Sequence, residues 1–78
     1  MGKIEALMLG WSKTEEGYRR VDVEGILLDA GKDGIPDAVL DSLTGQMVVA
    51  YYQTEWRPKK GGGWFPRRRL LAIRKAED

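Results

Sequence analysis

The chain contains no cysteine and no histidine among its 78 residues. Without cysteine it can form no disulfide framework, which favours a reducing, cytoplasmic location. Without histidine it lacks the commonest general base, and the two absences together remove the usual zinc ligands. Only carboxylates, lysines and tyrosines remain for catalysis, in a chain with little room for a water-excluding pocket. We therefore predict that the protein is not an enzyme and uses no cofactor or metal.

Long apolar runs are also missing. No segment approaches membrane-spanning length, and the first residues lack the apolar stretch of a signal peptide, so we predict no membrane contact. Apolar residues make up 42% of the chain and charged residues 32%, as in a globular protein. We predict one domain over residues 1–78, near the lower size limit for a single core, which leaves homo-oligomer formation open.

The net charge of +1 conceals an uneven distribution along the chain. Residues 1–54 carry five Lys or Arg and nine Asp or Glu, whereas residues 55–78 carry eight and three. This asymmetry predicts an acidic body with a basic patch that meets an anionic partner.

The hydrophobic pattern predicts four strands and one helix. Strands are expected at 3–11, 18–28 and 46–56, and a short helix at 36–44, where Pro36 suits the first turn and Gly45 the end. Residues 64–76 fit either a strand or a helix. Three arginines would lie at the positive end of such a helix, so we favour a strand.

The segment 18–28 shows the clearest alternation of apolar and polar residues. Val21, Val23 and Leu27 are predicted to share one buried face of a single strand. The complete pattern predicts an α+β domain in β-β-α-β-β order, with a mostly antiparallel sheet and the helix packed on one face.

The most informative segment runs from Trp56 to Arg69. It contains six cations and three aromatic residues, no acid and three consecutive glycines. Cations contact phosphates, and aromatic faces stack on unpaired bases. We predict that a basic, aromatic-flanked loop over 57–69 contacts nucleic acid, with Arg57–Gly63 as its mobile part. The predicted binding residues are Trp56, Arg57, Lys59, Lys60, Trp64, Arg67, Arg68 and Arg69.

The same loop has an alternative interpretation as a protein-interaction module. In that case an inhibitor or adaptor binds the acidic surface of a larger protein machine. The small size and the missing cysteine and histidine are similar in style to accessory proteins of phages and mobile elements. Binding to random oligonucleotides separates the two hypotheses, because only the first predicts it.

Two further patterns have ordinary structural explanations. Asp29–Asp37 resembles the acidic calcium loops of EF-hands and thrombospondin type-3 repeats, but Gly31 and Leu40 replace expected ligands. We therefore predict no useful calcium affinity and assign the carboxylates to a turn and a helix start. Trp11 and at least one of Tyr51 and Tyr52 are predicted to lie in the core.

Overall fold

The computed structural model describes residues 1–77 and shows a small five-stranded barrel with one short helix. Strands β1 to β5 pair in the closed order β1-β2-β3-β5-β4, and β4 returns to β1. The elements, in chain order, are β1 (Gly2–Lys13), β2 (Arg19–Val23), β3 (Ile26–Gly31), α1 (Asp37–Leu43), β4 (Met47–Pro58) and β5 (Trp64–Lys75).

The predicted α+β class is confirmed, but the element order differs. The predicted strand over 18–28 is two strands, so the order is β-β-β-α-β-β. All strand pairs are antiparallel except β3 with β5, which meet in parallel at the pair Asp29 and Arg69.

A two-residue turn at Glu24 and Gly25 separates β2 from β3. Both residues have positive φ, 50° and 89°, as a type I′ hairpin turn requires. Val23 pairs with Ile26 across the hairpin, so these two residues, three positions apart, lie on the same face of the sheet. The inward-facing positions are therefore odd-numbered in β2 and even-numbered in β3. Leu28 is consequently fully buried, whereas Leu27 is 55% exposed. The prediction that Leu27 faces inward with Val21 and Val23 was therefore wrong.

The turn predicts a clear contrast between two glycine substitutions. An added Cβ meets no atom within 4 Å at Gly25 or at Gly10, but only Gly25 has a positive φ. Gly25→Ala should therefore lower the free energy of unfolding by roughly 1–2 kcal/mol, through backbone strain alone. Gly10→Ala should leave it unchanged or slightly higher. Urea denaturation of both variants checks this, and equal effects would contradict the turn assignment.

The helix completes the hydrophobic core. Leu40 and Leu43 of α1 are buried in one cluster with barrel residues such as Met8 and Leu28. The predicted helix at 36–44 is confirmed to within one residue at each end, and Gly45 follows it with a φ of 83°. Within residues 1–77, this seven-residue element is the only helix, and it is too short to cross a membrane.

Strands β4 and β5 extend well beyond the rest of the barrel. Pairing of β1 with β4 stops at Tyr52, and β3 meets β5 only at Arg69, so residues 53–68 form a two-stranded ribbon that pairs with no third strand. We call this ribbon the arm. The strand prediction for 64–76 is confirmed. The predicted loop over 57–69 is wrong in extent, because Arg57 and Arg67–Arg69 lie within strands and only residues 59–63 connect them.

Candidate nucleic-acid interface

A groove of about 880 Å³ runs along the barrel where the arm meets β3. The β1–β2 loop contributes Tyr18, β2 contributes Arg20 and β3 contributes Leu27. The start of β5 supplies Phe65 and Arg68 from the other side. Parts of the chain distant in sequence therefore meet in one open surface.

Apolar side chains remain accessible in this groove. Tyr18, Leu27 and Phe65 are all exposed, and Lys32 Nζ lies 4.9 Å from the Tyr18 ring centroid. Arg20 and Arg68 are exposed beside them, while Glu16 adds one exposed acid. The surface therefore combines flat apolar contacts with positive charge.

Sequence reasoning missed most of this groove. Arg20 and Tyr18 lie far from the basic segment in sequence, and Leu27 was assigned to the core. The signal for Leu27 was the Glu24-Gly25 dipeptide, whose glycine suits a hairpin turn. No local signal indicates that β2 and β3 lie beside the arm, because a long-range crossover creates that contact.

The predicted cations of the basic segment divide into three groups. Lys59 and Lys60 at the tip of the arm, and Arg68, are exposed and form no ion pair within residues 1–77. Arg57 and Arg69 approach Glu55 at 3.9 and 3.8 Å, too far for strong pairing. The last member, Arg67, differs from all of these.

Arg67 joins the arm to the barrel. Its Nη2 donates to Asp29 Oδ2, and Asp29 Oδ1 accepts the Gly31 N–H at 2.8 Å. The Asp29 side chain is 16% exposed and that of Arg67 is 36% exposed. This pair lies next to the single β3–β5 bridge and reinforces the closure of the barrel. One predicted binding residue therefore has a structural partner.

The half-buried pair predicts a measurable stability difference. Asp29→Asn should lower the free energy of unfolding by about 1–3 kcal/mol, because it weakens a charge-assisted bond in a partly desolvated site. The control Glu55→Gln should cost about 0–1 kcal/mol, because its pairs are long and exposed. Thermal denaturation of both variants tests the difference, and equal losses would contradict a structural role for Asp29.

The two predicted tryptophans of the segment lie on one face of the arm. Trp56 pairs with Pro66, and Trp64 pairs with Pro58, so these four side chains share a face. Each tryptophan residue is 63% exposed. The connection at the tip is a hydrogen-bonded turn, in which Lys59 N–H donates to Gly63 O at 3.0 Å and Gly62 N–H to Lys59 O at 3.1 Å.

The aromatic residues predicted for the core pack against its edge. Trp11 and Tyr52 are partly buried against the hydrophobic cluster, as predicted. Trp11 Nε1 also donates to Asp41 Oδ1 at 2.8 Å, which links β1 to α1. Trp11 is only half-buried, and it also lines a second, smaller groove together with Arg20 and Leu27.

The segment that resembles a calcium loop binds basic side chains instead. Asp29 pairs with Arg67, and Asp37 accepts bonds from Lys13 Nζ, at 2.7 Å, and from Arg19. The Lys13 bond is the main cause that lowers the pKa of Asp37, and Arg19 adds to it. Within residues 1–77, no three carboxylates converge into a cluster that could hold a metal ion.

Neither protein-family models, nor curated proteins, nor solved structures give a match to this chain.

Proposed function

We propose that this protein is a nucleic-acid-binding accessory module that uses the groove and the arm together. The observation that carries the proposal is the groove itself, where Tyr18, Leu27 and Phe65 are exposed beside Arg20 and Arg68. Proteins that bind nucleic-acid strands combine a positively charged groove along the backbone with aromatic rings on which bases stack. Both components are present on this one surface.

The connectivity of the barrel supports the same proposal. A five-stranded barrel in the order β1-β2-β3-β5-β4, with a helix between β3 and β4, has the connectivity of an OB-fold. Barrels of that type bind oligonucleotides or oligosaccharides on the face of strands two and three and on the loops β1–β2 and β4–β5. The groove described above lies on β2, β3 and the β1–β2 loop, and the start of β5 forms its other side. Its arginines and the lysines of the arm favour a phosphate-bearing ligand over a neutral sugar.

The distribution of charge also favours an anionic ligand. Arg20, Lys59, Lys60 and Arg68 are four exposed cations around the groove and the arm. Asp29, an acid that lines the groove, is already bonded to Arg67. Of the two acids that line the groove, only the exposed Glu16 therefore opposes its cations.

The test is the salt dependence of binding to random-sequence oligonucleotides. Each phosphate contact contributes about 0.7 to the slope of log K against log salt for single strands, so four contacts predict a slope of about −3. Fluorescence anisotropy with a labelled oligonucleotide measures it between about 50 and 200 mM salt. No detectable binding at the low end would contradict the proposal and favour the protein-interaction alternative, in which the arm meets an acidic protein surface.

A further inference from the structure

The inner face of the arm is the side of the ribbon that carries Trp56 and Trp64, opposite the side that carries Phe65 and Arg67. Strand residues alternate between faces, so Trp56, Pro58, Trp64 and Pro66 continue the side on which Tyr52 and Leu70 pack against or within the core. Beyond the barrel this side of the arm is open, and Trp56 and Trp64 are each 63% exposed. A small domain usually buries such rings, so their exposure calls for a ligand.

The relative position of the two indoles fits a flat ligand. Trp56 lies opposite Pro66 and Trp64 lies opposite Pro58, so the tryptophans are diagonal neighbours on the two strands. Diagonal neighbours in an antiparallel pair lie about 7–8 Å apart. Rings that rise from strand positions at this spacing leave room for one base, because a base stacked on both of its faces needs about twice the 3.4 Å rise between stacked bases.

Positive charge flanks the indoles on both sides along the arm. Lys59 and Lys60 lie at the tip, next to the pair formed by Pro58 and Trp64. Arg68, which pairs with Thr54, lies on the same face towards the barrel. The acid of the arm, Glu55, lies on the opposite face, where it is the strand neighbour of Arg67. From the tip of the arm to the barrel, this face therefore presents first the lysines, then the two tryptophans and then an arginine.

The edges of the arm do not favour the addition of another strand. Pro58 and Pro66 have no N–H group to donate, and prolines on strand edges discourage pairing with a further chain. The side chains of the inner face, rather than the backbone, are therefore the part of the arm suited to recognition.

From these observations we infer that Trp56 and Trp64 hold one unpaired base between their rings, while Lys59, Lys60 and Arg68 contact the phosphates on either side. The inference rests on the proposed function and narrows its ligand to nucleic acid with unpaired bases. A duplex does not fit, because both faces of its internal bases are already covered by neighbouring bases. The groove and the inner face of the arm are then adjoining contact regions on one bound strand, and Arg68 belongs to both.

The experiment compares a labelled 20-nucleotide thymidine strand with a 20-base-pair duplex. Binding of the full chain is measured by anisotropy at low salt for the wild type and for Trp56→Leu, Trp64→Leu, Trp56→Phe and Trp64→Phe. The leucine variants keep an apolar side chain without a stacking ring, and the phenylalanine variants keep a ring. Leu71→Ala removes an exposed apolar side chain of β5 outside the arm and serves as control.

We expect the wild type to prefer the single strand and each leucine variant to lose roughly 5- to 150-fold of that affinity. The phenylalanine variants should retain most of it, and duplex binding and the Leu71→Ala variant should be unchanged. The inference would be overturned if the wild type bound the single strand and the duplex equally well and if neither Trp56→Leu nor Trp64→Leu changed that binding. The proposed function would remain intact in that case. A loss accompanied by a lower melting temperature would also overturn it, because the indoles would then serve the fold. Absence of binding to both probes would instead contradict the proposed function.

Discussion

The double variant Lys59→Glu/Lys60→Glu should bind a single-stranded oligonucleotide far more weakly than the wild type, with no loss of stability. Both lysines are exposed at the tip of the arm, where they form no ion pair within residues 1–77. Removing two phosphate contacts should reduce the salt slope by about 1.4 and the affinity at about 50 mM salt by roughly 50-fold. Reversal of the charge adds repulsion to that loss.

The matched control makes the same change in net charge at a site away from the arm. Arg74→Glu/Lys75→Glu alters two adjacent exposed cations at the end of β5 farthest from the arm. This variant should bind much closer to the wild type, because it changes only the long-range, screened field. Both double variants should unfold within about 0.5 kcal/mol of the wild type, as surface substitutions usually do. Equal weakening by the two pairs would mean that net charge, and not the arm, determines binding.

Leu28→Ala should destabilise the protein severely, and Leu27→Ala should hardly affect it. Leu28 is fully buried in the barrel, so truncation should cost about 2–5 kcal/mol. A domain of this length has a total stability of only about 4–12 kcal/mol, so the loss is a large fraction of the whole. Leu27 is exposed in the groove, and its truncation should cost no more than about 0.5 kcal/mol.

Urea denaturation of the two alanine variants measures both effects. The pair tests the I′ turn at Glu24 and Gly25, because a continuous strand over 18–28 reverses the expected order. A large cost for Leu27 together with a small one for Leu28 would contradict the two-strand assignment. Leu27→Ala is also expected to weaken oligonucleotide binding, since the side chain lines the groove.

The contrast between Leu27 and Leu28 shows where sequence reasoning succeeds and where it fails. The helix was predictable because Pro36 and Gly45 mark its ends locally. The strand β5 was predictable because a helix would have placed arginines at its positive end. The I′ turn was missed because the apolar residues 26–28 fit either phase of the alternation.

The candidate site was predictable in part for a similar reason. The basic and aromatic composition of 56–69 identifies the arm, because its residues are consecutive. Composition does not distinguish Arg67 from Arg68, although Arg67 is bonded to Asp29 and Arg68 is exposed. That difference depends on a partner 38 positions away, which only the closed barrel brings near.

We expect the native protein to open first at the seam between β3 and β5. A single bridge pair and the ion pair of Asp29 with Arg67 hold the seam, whereas β4 and β5 pair along their whole length. Regions with few backbone bonds open at low free energy, so amide protons beside the seam should exchange with solvent long before those of the barrel interior. The two halves it joins, β1-β2-β3 and β4-β5, each consist of neighbours in sequence and can form quickly. Closure of the seam is then the late, slow event in folding, and it is also the step that assembles the groove.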